Sequence, residues 1–317
     1  MYDNSLTNQK ILPSMDQPAP LETTPLQPAT RRWNTYILTF LALAGLVLMF
    51  AASHAWLSTV DERIAAALRG GSMAALATML GTMPVLLSQR FSQRIFDTLL
   101  GFGAGVMLAA CAFSLIIPGL AAAHAQGMGR WTSGLVVSAG ILLGAILLLT
   151  IDRLVPHEHF VKGLEGLPAQ KLKRTYLFIL AIVLHNFPEG LAIGVAYGGT
   201  DQVGATALAT GISIQDVPEG LVVALALRGV GYSRFRSVGV GAASGLVEPL
   251  AAVLGASIIG LSAMLLPWGL AFAAGAMLYV ISHEIIPESH RAGHEAFATG
   301  GLMIGFVLMM LLDTALG

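Results

Sequence analysis

Two six-residue stretches concentrate the reactive side chains of this sequence: His185-Asn186-Phe187-Pro188-Glu189-Gly190 and Gln215-Asp216-Val217-Pro218-Glu219-Gly220. Each sits inside a long apolar run, and a third run carries Glu248 in SGLVEPL. A carboxylate at the centre of a bilayer costs roughly 2.5 kcal/mol or more, so such groups face a protein interior and usually carry function. On a helix, His185 lies four residues before Glu189 and Asn186 three before it, so Glu189 sits between two partners on one face. Gln215, Asp216 and Glu219 repeat the arrangement on the next run. Two such helices facing each other could hold two divalent cations, with each glutamate able to bridge. If ionised, Glu189, Asp216, Glu219 and Glu248 carry four negative charges, which two divalent cations neutralise. A polar packing network is the competing reading, but helix-to-helix glue in membranes is normally Ser, Thr, Asn or Gln. No buried lysine or arginine stands in these runs to pair the acids.

The ligand types narrow the cation. Imidazole, carboxylate and amide oxygen suit zinc, iron(II), manganese or cadmium. A thioether favours zinc or cadmium over manganese, and Met107 in GFGAGVMLAACAF offers one. Pro188 and Pro218 lack an N–H, so the carbonyls of Leu184 and Ile214 lose their helical partners. Freed carbonyls are tolerated in a membrane where they line a cavity.

The elements that must position these groups are membrane spans. The chain has 317 residues, 55% hydrophobic and only 11% charged, with mean hydropathy +0.74. A soluble domain carries about 25% charged residues. A bilayer core needs about 20 apolar residues per helix, and nine runs qualify: 34–58, 71–89, 96–124, 131–152, 175–199, 203–228, 236–260, 263–288 and 295–315. The first stands apart behind a charged linker, DERIAAALRG. With the N-terminus inside, Arg63, Arg69 and Arg130 are the only basic residues outside, against fourteen within, among the 17 lysines and arginines. That asymmetry supports a cytoplasmic N-terminus. The proline-rich segment over 1–32 reads as a disordered cytoplasmic tail rather than a signal peptide. A net charge of −1 gives no field favouring nucleic acid, and the single cysteine, Cys111, excludes a disulfide framework.

At this point the residues resemble a known family. HNFPEG on one helix with a second PEG motif on the next looks like the ZIP (Zrt/Irt-like) metal transporters, over roughly 70–317. The resemblance implies an all-α fold: a polytopic membrane helix bundle of eight core helices, preceded by an extra helix at 33–60. It implies a binuclear site on the fourth and fifth core helices, with His185, Asn186, Glu189, Gln215, Asp216, Glu219 and Glu248 at ligand positions and Met107 at a further one. It also implies dimers in a bacterial inner membrane, transport of zinc toward the cytoplasm with cadmium as a surrogate, and a four-helix unit moving against a scaffold. Many eukaryotic members have histidine or asparagine where this chain has Gln215 and Asp216.

Further polar groups lie toward the span ends. HEIIPES places His283, Glu284 and Glu288 near a cytoplasmic end, followed by His290, His294 and Glu295, and reads as a release station for metal leaving the centre, against the alternative of ordinary polar residues at the interface. His157, Glu158 and His159 in VPHEHF form either a weak metal-binding loop or a solvated surface. Asp152 and Asp313 near helix ends either join a path or are solvated charges, the commoner state of lone charges at termini, and His54 and His124 read as structural. Ser114 either narrows a path or bonds to its own backbone. Enzymatic alternatives fit poorly. An intramembrane zinc protease needs H-E-x-x-H, a di-iron oxidase wants E-x-x-H pairs, and an ATP-driven pump needs a Walker motif. The motif helices hold neither pattern, and no Walker motif occurs in the chain. A metal sensor that binds without moving its ligand differs from a transporter in flux alone.

Overall fold

The structure is a computed structural model describing residues 61–87, 91–154, 157–159, 163–165, 174–229 and 231–316, with backbone alone at 157–159, 163–165 and 174–181. The expected tail and first span fall outside these residues. Helices dominate: α1 (Glu62–Leu87), α2 (Gln93–Ala125), α3 (Arg130–Leu154), α5 (Gln202–Gly229), α6 (Arg234–Leu261), α7 (Ala263–Ser289) and α8 (Glu295–Leu316). These seven are long and apolar enough to cross a membrane. The motif-bearing helix α4 (Arg174–Gly198) is a further long one. Between α3 and α4, β1 (His157–His159) pairs antiparallel with β2 (Gly163–Glu165), so the segment read as a loop contains a short hairpin.

One boundary differs from expectation. DERIAAALRG is the start of α1 rather than a linker. Asp61 caps the helix by accepting from the Arg63 N–H at 2.8 Å. Arg69 pairs with Glu62 two turns away. Charges lowered the hydropathy of an alanine-rich stretch that is helical by propensity.

Lipid gives helices no hydrophobic reason to associate, so close backbone packing through small residues must hold them. Gly301 and Gly305 on α8 lie against the Thr98 and Phe102 carbonyls of α2, while Gly101 and Gly105 lie against Ala298 and Leu302 of α8. Gly144 and Gly275 join α3 and α7 in the same way. The described helices form two groups of four. α1, α4, α5 and α6 pack mutually, and α2 pairs with α8 while α3 pairs with α7, the two pairs meeting where α2 touches α7.

The second group is internally duplicated, which the sequence reading missed. Buried Val137, Gly140, Gly144, Leu148 and Asp152 on α3 have the spacing of Ala298, Gly301, Gly305, Met309 and Asp313 on α8. Phe102-Gly-Ala-Gly-Val-Met-Leu on α2 matches Phe272-Ala-Ala-Gly-Ala-Met-Leu on α7, and both continue to Ile-Ile-Pro. Each α2/α7 copy contains a π-helical stretch, Ala110–Ile116 and Ile281–Ile285. Such widened turns commonly mark functional positions in helices. The C-terminal turn of α7 touches the first half of α2, so the copies run in opposite directions.

Candidate metal site

α4 and α5 continue through Pro188 and Pro218, and the glycine after each motif glutamate lets another helix in. At Gly190 a Cβ would collide with the Glu248 backbone of α6, and at Gly220 with the Thr78 carbonyl of α1. α6 itself breaks at a turn over 245–246. It restarts as Val247–Leu261, which puts Glu248 in a first helical turn, where free N–H groups favour an acid.

These approaches gather the expected side chains. Glu189 and Glu248 are 0% exposed, Asp216 and Gln215 1%, and Asn186 2%; His185 and Glu219 are partly buried. Ligand atoms of His185, Glu189 and Glu219 lie within 4.8 Å of one another, as do those of Glu189, Asp216 and Glu248. Glu189 belongs to both groups. Among the described ion pairs, none joins these acids to a lysine or arginine.

Hydrogen bonds satisfy one side of each group and leave the other facing its neighbours. Gln215 Nε2 donates to Glu189 Oε1 at 2.7 Å and to Asp216 Oδ1 at 2.6 Å. Asn186 Nδ2 donates to Glu248 Oε1 at 3.1 Å. Glu189 Oε2, Asp216 Oδ2, Glu248 Oε2 and Asn186 Oδ1 are buried without a hydrogen-bond partner. His185 Nε2 lies 2.7 Å from Glu219 Oε1 but without hydrogen-bond alignment. An unsatisfied buried polar group costs about 1–3 kcal/mol, more when charged. Several together, all offering oxygen or nitrogen lone pairs, form a donor set for a cation of intermediate hardness.

The expected outlying residues divide. Glu284 and Glu288, one turn apart on α7, line a cleft with His185, Gln215 and Glu219, and His185 Nδ1 lies 3.6 Å from Glu284 Oε2. Leu99, Ile182 and Val223 form part of its apolar wall. His283 does not line this cleft. It stacks on Tyr279 with ring centroids 5.0 Å apart, and its Nε2 is 3.6 Å from Asp152 Oδ2. Met107 is fully buried in the hydrophobic core, one turn beyond Gly103, whose Cα faces Gln215. His157 and His159 lie on β1, outside the described side chains.

Two bland readings are overturned. Asp152 is buried, not solvated, and accepts from the Tyr279 hydroxyl at 2.9 Å. Ser114 bonds to another helix rather than to its own backbone, donating to Asp313 Oδ1 at 2.6 Å. His124 does play a local structural part, near the Met128 carbonyl and Ser133. Sequence reasoning missed Asp97. It is 0% exposed on α2, accepts from Gln93 Nε2 at 2.8 Å, and lies 2.9 Å from His294 Nδ1. It stands near the start of an apolar run, and its histidine partner is 197 residues away in the chain, so only the packing of α2 against the start of α8 brings the two together.

Long apolar helices crossing around a buried acid cluster that could hold a metal ion are the mark of a multi-pass membrane protein. Residues 162–313 match the family described as ZIP Zinc transporter. The chain is 47% identical over 245 residues to the Zinc transporter GufA of Myxococcus xanthus, covering 77% of this chain and 96% of that protein. It is 49% identical over 276 residues to the Zinc transporter ZIPB of Bordetella bronchiseptica, covering 86% and 89%. It is 33% identical over 321 residues to the human Zinc transporter ZIP11, covering 76% and 94%. The chain belongs to the ZIP family, and as such it is a transporter rather than an enzyme.

Proposed function

We propose that this protein carries zinc across a bacterial inner membrane into the cytoplasm, through two adjacent cation positions that share Glu189. His185, Glu189 and Glu219 hold one ion, with Gln215 alongside. Glu189, Asp216 and Glu248 hold the other, with Asn186 alongside. Met107 serves a cation reaching the centre from the outer side. The observation that carries this reading is the set of buried acid and amide oxygens without donors at the meeting point of α4, α5 and α6. Relatives named as zinc transporters point to the cargo.

Cadmium, with similar ligand preferences, substitutes for zinc, and iron(II) or manganese pass less readily. Glu284 and Glu288 take the departing ion along the cleft they share with His185 and Glu219. His283, His157 and His159 act farther out. The N-terminus is cytoplasmic and the C-terminus periplasmic, with eight core spans, an extra helix at 33–60 and a tail at 1–32. The group α1, α4, α5 and α6 moves as a body against α2, α3, α7 and α8, and two chains form a homodimer. Because carboxylate and imidazole ligands release protons when they bind metal, uptake weakens as pH falls.

The test is ion flux into proteoliposomes for zinc, cadmium, iron(II) and manganese, with and without a pH gradient. Zinc and cadmium uptake well above protein-free vesicles is expected. Binding without flux would make the chain a sensor and overturn the proposal.

A further inference from the structure

Thr78 lies outside both PEG motifs, on α1, yet it reaches the acid cluster. It is 3% exposed, and its hydroxyl is 3.0 Å from Glu248 Oε1 and 3.2 Å from the Ala74 carbonyl. A hydroxyl has one proton, so it donates to one acceptor at a time. The position is tightly fixed. A Cβ at Gly220 would collide with the Thr78 carbonyl, and one at Gly245 would stand 3.1 Å from the Thr78 Cβ. Thr78 therefore sits where α1, α5 and α6 converge.

Its effect falls on one oxygen of Glu248. Oε1 receives Asn186 Nδ2 at 3.1 Å and is, at 3.0 Å, the nearer of the two acceptors open to the Thr78 hydroxyl. Oε2 has no partner and belongs to a carboxylate that lies within the Glu189–Asp216–Glu248 group. Two donors on one oxygen stop the carboxylate from rotating or turning both oxygens inward. They leave one oxygen aimed at the cluster.

We infer that Thr78 is a positioning residue for cation binding: its hydroxyl holds Glu248 in a one-oxygen pose and so sets the affinity of the Glu189–Asp216–Glu248 position. This rests on the proposed metal path. Partners that orient a ligand typically change metal affinity by 10–100-fold when removed. The effect should fall on one of the two positions, because His185 and Glu219 receive no bond from Thr78 among the described contacts.

The experiment is equilibrium zinc binding to the purified full chain, comparing wild type, Thr78→Val, Thr78→Ala and Thr78→Ser. Val keeps the shape and removes the hydroxyl; Ala removes it without risk of a clash if Val perturbs folding. Both should weaken one of two zinc positions by about 10–100-fold and leave the other unchanged. Thr78→Ser should restore wild-type binding. In a Glu248→Gln background, where one ion should remain, Thr78→Val should leave that ion's affinity unchanged, because Thr78 acts through Glu248. Wild-type affinities at both positions in Val and Ala, equal weakening of both positions, or a Ser variant behaving like Val would each overturn the inference. A wild-type chain that binds no zinc would instead remove the proposed metal path itself.

Discussion

Replacing Glu189 with glutamine should make the metal-free protein more stable and the zinc-loaded protein less so. Glu189 is the acid common to both groups, and in each group one of its oxygens lies within 4.8 Å of an oxygen of Glu219 or of Asp216 and Glu248. At that separation and an effective dielectric of about 20, each like-charge pair repels by about 3.5 kcal/mol when ionised. Glu189→Gln removes three such pairs, about 10 kcal/mol in all if every acid is ionised. Side-chain relaxation and counter-ions absorb much of this, but a residual of about 1 kcal/mol still shifts the midpoint by about 2–4 °C in a 150–250-residue domain. Zinc acts oppositely. At 100 times its Kd, one bound ion stabilises the folded state by about 2.7 kcal/mol. Thermal melting in detergent, with chelator and then with saturating zinc, reads both signs. Wild type should melt below Glu189→Gln in chelator and above it in zinc. A variant that melts lower than wild type in chelator and gains as much from zinc would refute the electrostatic reasoning.

Three further outcomes follow from the same geometry. His185→Ala should abolish zinc and cadmium uptake into proteoliposomes while the protein stays folded, and wild-type uptake would remove His185 from the path. Glu284→Gln with Glu288→Gln should slow turnover several-fold without changing the zinc bound at equilibrium, as read by flux alongside metal analysis; unchanged flux would leave the cleft without a role in release. Gly305→Leu places side chain where the Phe102 carbonyl stands, so α2 and α8 must separate at a cost of about 1–3 kcal/mol, visible as a lower melting temperature; wild-type melting would mean the two helices do not rely on that contact.

Much of the site was legible because acids stand out in apolar runs. The spacing of His185, Asn186 and Glu189, and its repeat in Gln215, Asp216 and Glu219, put ligands on shared faces before any packing was known. The spacing left open which glutamate stands nearest both groups. That depends on how α6 brings in Glu248, and α6 does so by breaking and restarting at 247. Thr78 was invisible because a threonine in an apolar helix is ordinary; only the approach of α5 and α6 gives its hydroxyl a partner. Asp152 and Asp313 looked solvated because hydropathy ends near them, whereas tyrosine and serine on neighbouring helices bond them. The start of α1 was missed because Asp61, Glu62, Arg63 and Arg69 resemble a linker until the cap and the ion pair are seen.

Counting zinc in the purified protein bears most directly on whether the buried acids exist to hold a moving cation. Under saturating zinc, the wild-type chain should hold two ions, Glu248→Gln one, and Glu189→Ala fewer than Glu248→Gln. Two ions in every variant, or a metal-free wild type, would contradict that claim.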